Sequence, residues 1–167
     1  MKLTILGSGT SHGVPVIGCD CAVCTSRDLK NSRLRCSAIL TTESGRNFLI
    51  DVGPDFRQQA LNFGLKKLEG VFLTHPHADH VHGIDDLRIF SHKNSLAMNE
   101  DKTLAQRYPE TQGKGLPIYL SSNSKRLVQE NFHYIFIEHK MGGGTPKLDL
   151  ESVDDFNADK MLELETI

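Results

Sequence analysis

Thr74 closes a short apolar stretch, Gly70 to Thr74, and is followed at once by His75-Pro76-His77-Ala78-Asp79-His80; no other feature of the chain restricts its fold as much. An apolar run of this length opening on a glycine reads as a short buried strand. His75 then stands where the strand leaves the sheet and side chains emerge at its edge. In extended backbone, residues i and i+2 point to the same side, so His75 and His77 can present imidazole nitrogens to one ion at ~2.0–2.1 Å. Asp79 and His80 add a carboxylate and a further imidazole, a pair that suits a second divalent ion. A lone histidine is usually structural, but histidines at 75, 77, 80, 82 and 92, within eighteen residues, are hard to explain that way.

A second cluster lies upstream. Cysteines stand at 19, 21, 24 and 36, and Cys19, Cys21 and Cys24 crowd into six residues, too close for an ordinary pair of disulfides. Thiolates so spaced can converge on one Zn²⁺ at ~2.3 Å and close three corners of a tetrahedron. Cys36 is one candidate for the fourth corner; the alternative is that Cys36 is a buried small apolar residue. Free thiols in a loop are the alternative for the trio.

Around these clusters the chain reads as mixed α and β. Lys2 to Leu6 is an opening strand and Gly7 to Pro15 a turn-rich loop; His12 stands where a dinucleotide-binding G-x-G-x-x-G would need glycine, and that reading is discarded. Ser37 to Thr42 and Asn47 to Val52 form a hairpin around Glu43-Ser44-Gly45-Arg46. Asp55 to Phe63 carries Phe56, Ala60 and Phe63 on one helical stripe, with Pro54 at its entry and Gly64 past its end. A helix begins around Gly83, Ile84, Leu87 and Phe90, and a polar insertion follows from Asn94 to Leu116. Pro117 to Leu120 reads as a strand, Ser122 to Asn131 as a helix and Lys147 to Val153 as a last strand. The basic run Arg27, Lys30, Arg33 and Arg35 is a solvated face or a hold for an anion, and Arg57 and Arg88 are expected to pair with Asp55 and Asp85.

H-x-H-x-D-H at the end of a strand resembles the signature of the metallo-β-lactamase superfamily. The stretches GSGTSHGVPVIGCDCAVC, NSRLRCSAIL, LIDVGPDFRQQ, THPHADHVHGIDDLR and GGGTPKLDL are similar to the branch containing ribonuclease Z and the cyclic phosphodiesterases of phosphonate breakdown. The resemblance implies an α+β fold, the αβ/βα sandwich of that superfamily, of which this chain holds mainly the N-terminal half. It implies that His75 and His77 hold a first metal, that Asp79 and His80 hold a second, and that Cys19, Cys21 and Cys24 hold a separate structural zinc. Asp51 would orient a ligand histidine, Asp79 would also orient the attacking water, and His82 would support the ligands. The third histidine, the bridging aspartate and the late histidine of the family have no match here, and neither has the histidine of the cysteine zinc. The expectation is one domain over 1–167, incomplete at its C-terminus.

The implied function is a metal-dependent phosphodiesterase using two Zn²⁺ or Mn²⁺ ions on a cyclic or small nucleotide-like phosphodiester, besides one structural Zn²⁺. Two other readings stay open: hydrolysis of carboxylic esters, thioesters or lactams on the same scaffold, and a zinc-stabilised binding module without turnover. Lys plus Arg number 19 against 21 Asp plus Glu, a formal charge of -2, so no broad positive field favours long nucleic acid or anionic lipid. No apolar run approaches the ~20 residues of a membrane span, and the opening lacks a secretion signal. A soluble cytoplasmic protein with a small substrate is expected. The uncovered sheet edge and apolar face of a half-sandwich invite pairing, a homodimer being one way to cover them.

Overall fold

The computed structural model describes residues 1–91, 115–137 and 144–154. Its centre is a six-stranded sheet in sequential order, β1 (Lys2–Gly7), β2 (Ser37–Thr41), β3 (Asn47–Ile50), β4 (Gly70–Phe72), β5 (Leu116–Leu120) and β6 (Leu148–Ser152). β2 runs antiparallel to β1 and β3, and the remaining pairs are parallel. The C-terminal ends of β1, β3, β4, β5 and β6 therefore open on one edge of the sheet. Among the described residues the named helices are α1 (Phe56–Phe63), α2 (Ala78–Val81), α3 (Ser122–Asn131) and α4 (His133–Phe136), with 3₁₀ turns at Leu29–Asn31 and Ile84–Leu87.

The expected strands and helices are present with ends moved by one or two residues: β1 and β5 are longer by one, the helix Ser122–Asn131 has the expected bounds, and the others are shorter. The hairpin turns at Gly45, whose φ of 82° is open to glycine and strained for other residues. α1 starts one residue later than expected and ends at Gly64, left-handed at φ 72°. α3 is capped by the Ser121 hydroxyl, which accepts from the Ser124 amide. β4 ends at Phe72, so Leu73 and Thr74 already belong to the loop, and Leu116 belongs to β5 rather than to the insertion before it. The rest of that insertion, with His92, lies outside the described residues. The helix expected around Gly83 begins as the 3₁₀ turn Ile84–Leu87 and continues as helical backbone at 88–91. Gly83 separates it from α2, its amide donating to Val52 O at 2.8 Å.

Alternation along the strands decides the faces. Ile39, Leu49, Val71 and Ile118 share register and one face, where Phe56 of α1 and Val128 of α3 complete a continuous core. Leu49 and Val71 have no exposed surface; removing a side chain so placed costs about 2–5 kcal/mol. On the opposite face Phe72 stacks on Tyr119 at 5.1 Å and packs against Phe48 at 5.8 Å, with the Arg46 guanidinium 5.3 Å over Phe48. There Phe48 and Tyr119 are buried, while Leu3 and Ile5 on the edge strand stay 57% and 61% exposed. No helix among the described residues is long and apolar enough to cross a membrane.

After β6 the chain turns back onto α3, and Asp154 Oδ2 accepts from the Ser122 amide at 2.8 Å. Hydrogen bonding from Ser122, hydroxyl and amide, holds this carboxyl below its ordinary value. A carboxyl with a lowered folded value adds stability above its unfolded value of ~3.9 and loses it as pH falls through the folded value. Asp154→Asn should therefore melt below wild type at neutral pH and coincide with it in strong acid, as thermal melts across that range will show.

Candidate metal centre

Two glycines allow the edge to be built. The loop after β3, Asp51-Val52-Gly53, lies flush against α2: Val52 N donates to His80 O at 2.8 Å, and Gly83 N returns to Val52 O. A Cβ on Gly53 would run into the Asp79 carbonyl oxygen, and one on Gly83 into the Gly53 oxygen. Only glycine lets the two segments approach so closely. The contact clamps the turn bearing Asp79 and His80 against the loop bearing Asp51.

Parallel pairing of Ile50 with Phe72 carries Asp51 level with the start of the histidine loop, and Asp51 N donates to Phe72 O at 3.0 Å. Asp51 is 4% exposed and has φ 60°, a conformation that aspartate tolerates better than most residues but still at some cost. Its carboxylate accepts from Thr74 N at 2.8 Å, from Thr74 Oγ1 at 2.8 and 3.0 Å, and from His80 Nδ1 at 2.8 Å. Thr74 Oγ1 also lies 3.0 Å from His75 Nδ1.

The motif side chains come together in pairs. The rings of His75 and His77 meet edge to face with centroids 4.6 Å apart, and those of His75 and His80 lie 4.0 Å apart. Asp79 Oδ2 is 3.2 Å from His80 Nε2. His80 thus stands between two carboxylates, Asp51 at Nδ1 and Asp79 at Nε2. Imidazole with carboxylate is a donor set that Zn²⁺ and Mn²⁺ accept. The motif side chains are of a kind that suits divalent metal.

His82 stands apart. Its backbone N donates to Ala78 O, and its exposed ring sits edge-on over Phe132 at 5.6 Å. Neither arginine pairs as expected. Asp55 binds Arg35, through Nη1 at 2.7 Å and the amide at 2.8 Å, because Arg35 also reaches the Ser11 carbonyl and is held over the entry of α1. Arg57 stays exposed. Asp85 accepts from Tyr134 Oη at 2.6 Å, and burial together with that carboxylate pushes the phenol up to about 12. Arg88 donates instead to Gly144 O.

Sequence reasoning missed Thr74 and Gly53. Thr74 reads as the last residue of a strand, and only the parallel register of β3 and β4 sets its hydroxyl beside Asp51. Gly53 follows Asp51-Val52 like any turn glycine until α2 is folded against it.

The cysteine trio is a separate group. Among the described residues, Cys19, Cys21 and Cys24 are the set of three whose donor atoms all lie within 4.8 Å of one another, a span that three thiolates around one Zn²⁺ fit. The Cys24 amide points at Cys21 Sγ at 3.5 Å and the Val16 amide at Cys24 Sγ at 3.3 Å. The Cys24 N–H, followed by hydrogen bonds from the other two thiols, lowers Cys21 to about 7, so a large share is thiolate at neutral pH. Cys36 is exposed, which corrects the reading of it as a buried apolar residue, and it lies outside the trio. It is the first residue before β2, where the chain turns outward.

Against known proteins, residues 46–165 match the model of the beta-lactamase superfamily domain. Over 150 residues, 90% of this chain, the sequence is 40% identical to part of an octanoyltransferase of Porphyromonas gingivalis, 26% of which is covered. A diphosphatase from the PhnP family superimposes with a TM-score of 0.69 at 40% identity, over 90% of this chain and 49% of that one. Zinc-bound PqqB from Methylobacterium extorquens gives 0.63 at 21% identity over 93% and 47%, a likeness of fold alone. The chain thus spans about half the length of these structures and about a quarter of the octanoyltransferase, most of which lies outside the match. Sheet, histidine loop and family match agree: the chain belongs to the metallo-β-lactamase superfamily.

Proposed function

We propose that the protein is a metal-dependent phosphodiesterase acting on a small or cyclic nucleotide-like phosphodiester, and that this chain supplies the first four ligands of a two-metal centre, with Cys19, Cys21 and Cys24 holding a structural zinc apart from it. The observation that carries the reading is the pairing at the sheet edge: His75 with His77, and Asp79 with His80 at 3.2 Å, both pairs tied to the buried Asp51. The 40% identity to a diphosphatase of the PhnP family favours phosphorus over carbon as the centre attacked.

Two divalent cations, when bound, make water acidic near neutral pH and neutralise charge on the phosphoryl oxygens. The chain's own part is to hold and aim. Asp51 keeps the His80 proton on Nδ1, leaving Nε2 as a donor atom beside Asp79. Asp79, whose side chain is the more exposed of the pair at 22%, can accept a hydrogen bond from the attacking water and orient it. His75 and His77 face each other across the mouth of the loop. The proline between them restricts the residue before it, His75, to extended backbone, and His77 is itself extended at ψ 152° before α2 begins. With a formal charge of -2 the chain lacks the broad basic field of a binder of long nucleic acid, which suits a small substrate.

The test is turnover by the whole protein with added Mn²⁺ or Zn²⁺. Hydrolysis of bis(p-nitrophenyl) phosphate or of a nucleoside 2′,3′-cyclic phosphate is expected. His77→Ala should lower it by at least ~10²-fold through loss of a metal ligand. Turnover of carboxylic esters or thioesters alone would reject the phosphorus reading.

A further inference from the structure

The Asp51 carboxylate can only accept hydrogen bonds, so the one hydroxyl proton of Thr74, 2.8 Å from Oδ2 and 3.0 Å from Oδ1, is committed to it. Thr74 Oγ1 is then left with lone pairs alone, and the atom facing it at 3.0 Å is His75 Nδ1. That contact is a hydrogen bond only if His75 carries its proton on Nδ1. The same carboxylate receives His80 Nδ1 directly at 2.8 Å. We infer that Thr74 is a positioning residue: it relays the acceptor character of the single buried carboxylate of Asp51 to His75, so that one group fixes the tautomer of two histidines, His80 directly and His75 through a hydroxyl.

Both rings then carry an unprotonated Nε2, with centroids 4.0 Å apart. In free imidazole the two tautomers exchange, and a ring must hold its proton away from a metal before it can bind. The relay removes that exchange at His75 before any metal arrives. The backbone amide of Thr74 also donates to Asp51, at 2.8 Å, and anchors the loop whatever side chain stands at 74. The hydroxyl is thus spare for folding and needed for the proton's place.

The consequence for metal rests on the metal-centre reading above, whereas the tautomer does not, and the experiment separates them. Long-range ¹H–¹⁵N correlation spectra of the metal-free protein, recorded above the ordinary imidazole value of ~6.5, report which nitrogen of each ring is protonated. Wild type should show His75 and His80 both protonated on Nδ1. Thr74→Val should return His75 to a mixture or to the other tautomer, leave His80 unchanged, and weaken zinc at the histidines by ~10-fold or more in chelator competition. Thr74→Ser, which keeps the hydroxyl, should restore both. Protonation of wild-type His75 on Nε2 overturns the inference without any variant, as does a Thr74→Val protein with His75 unaltered; an altered tautomer with zinc affinity unchanged keeps the relay and rejects the metal-centre reading. A tautomer shift in a protein that hydrolyses no phosphodiester would sink the proposed activity and leave the relay standing.

Discussion

Asp51→Asn should lower the melting temperature of the metal-free protein by roughly 10 °C and weaken divalent metal at the histidines by ~10–100-fold, although the two side chains have the same shape. Asparagine tolerates the left-handed backbone that residue 51 adopts at φ 60°, so strain does not change. The hydrogen-bond inventory does. Asp51 accepts from Thr74 N, Thr74 Oγ1 and His80 Nδ1 in a site 4% exposed. An amide offers one acceptor oxygen, so its NH₂ must face either His80 Nδ1–H or the Thr74 amide, and one buried donor is left opposite another. Breaking a buried, hydrogen-bonded charge in this way costs about 3–5 kcal/mol. At ~2–4 °C per kcal/mol for a chain of this size, that gives the stated shift. Differential scanning fluorimetry and zinc titration check both arms. A variant that melts with wild type and keeps its zinc would show that Asp51 does not organise the loop.

This buried carboxylate also marks where reading the sequence stops. His75, His77, Asp79 and His80 are legible because the period-2 geometry of extended chain and the preference of metals for imidazole and carboxylate act locally. So do the hairpin at Gly45, the helix ending at Gly64 and the cysteine trio. What joins them is not local. Thr74 meets Asp51 across 23 residues, through a parallel strand pair whose register no short pattern announces. Gly53 matters because of a carbonyl 26 residues away in α2. Arg35 takes Asp55 from its nearer neighbour Arg57 because the loop after β1 and the start of β2 fold over α1, a tertiary event. Gly83 parts α2 from the helical turns after it for the same reason: its amide answers to Val52 rather than to α2. Cys36 was misjudged because cysteine is so often buried, whereas here the chain turns outward just before β2.

The largest effect at the second cluster is expected from Cys21→Ala, read against His77→Ala. Cys21 is the thiol most ready to lose its proton, held at about 7 by the Cys24 amide and then by the neighbouring thiols, and it contributes a third of the donor set. Two remaining thiols cannot close a structural site, so Cys21→Ala should lose a full equivalent of zinc that His77→Ala retains. The structural consequence stays local. The core around Leu49 and Val71 contains no residue of the loop 14–33, which the Val14–Arg33 bridge closes on itself and which the Gly9–Arg35 bridge and the Arg35–Asp55 pair anchor at its exit. Zinc binding is folding free energy for the segment it closes, so hydrogen exchange in residues 14–33 should quicken by more than ~10²-fold in Cys21→Ala while the strands keep their protection. Metal content by mass spectrometry under native conditions gives the first half of the result and exchange mapping the second. Were Cys21→Ala to keep the zinc complement of wild type, the trio would be three neighbouring thiols and nothing more; were the strands to lose protection with the loop, the zinc would be holding the whole domain rather than its entrance.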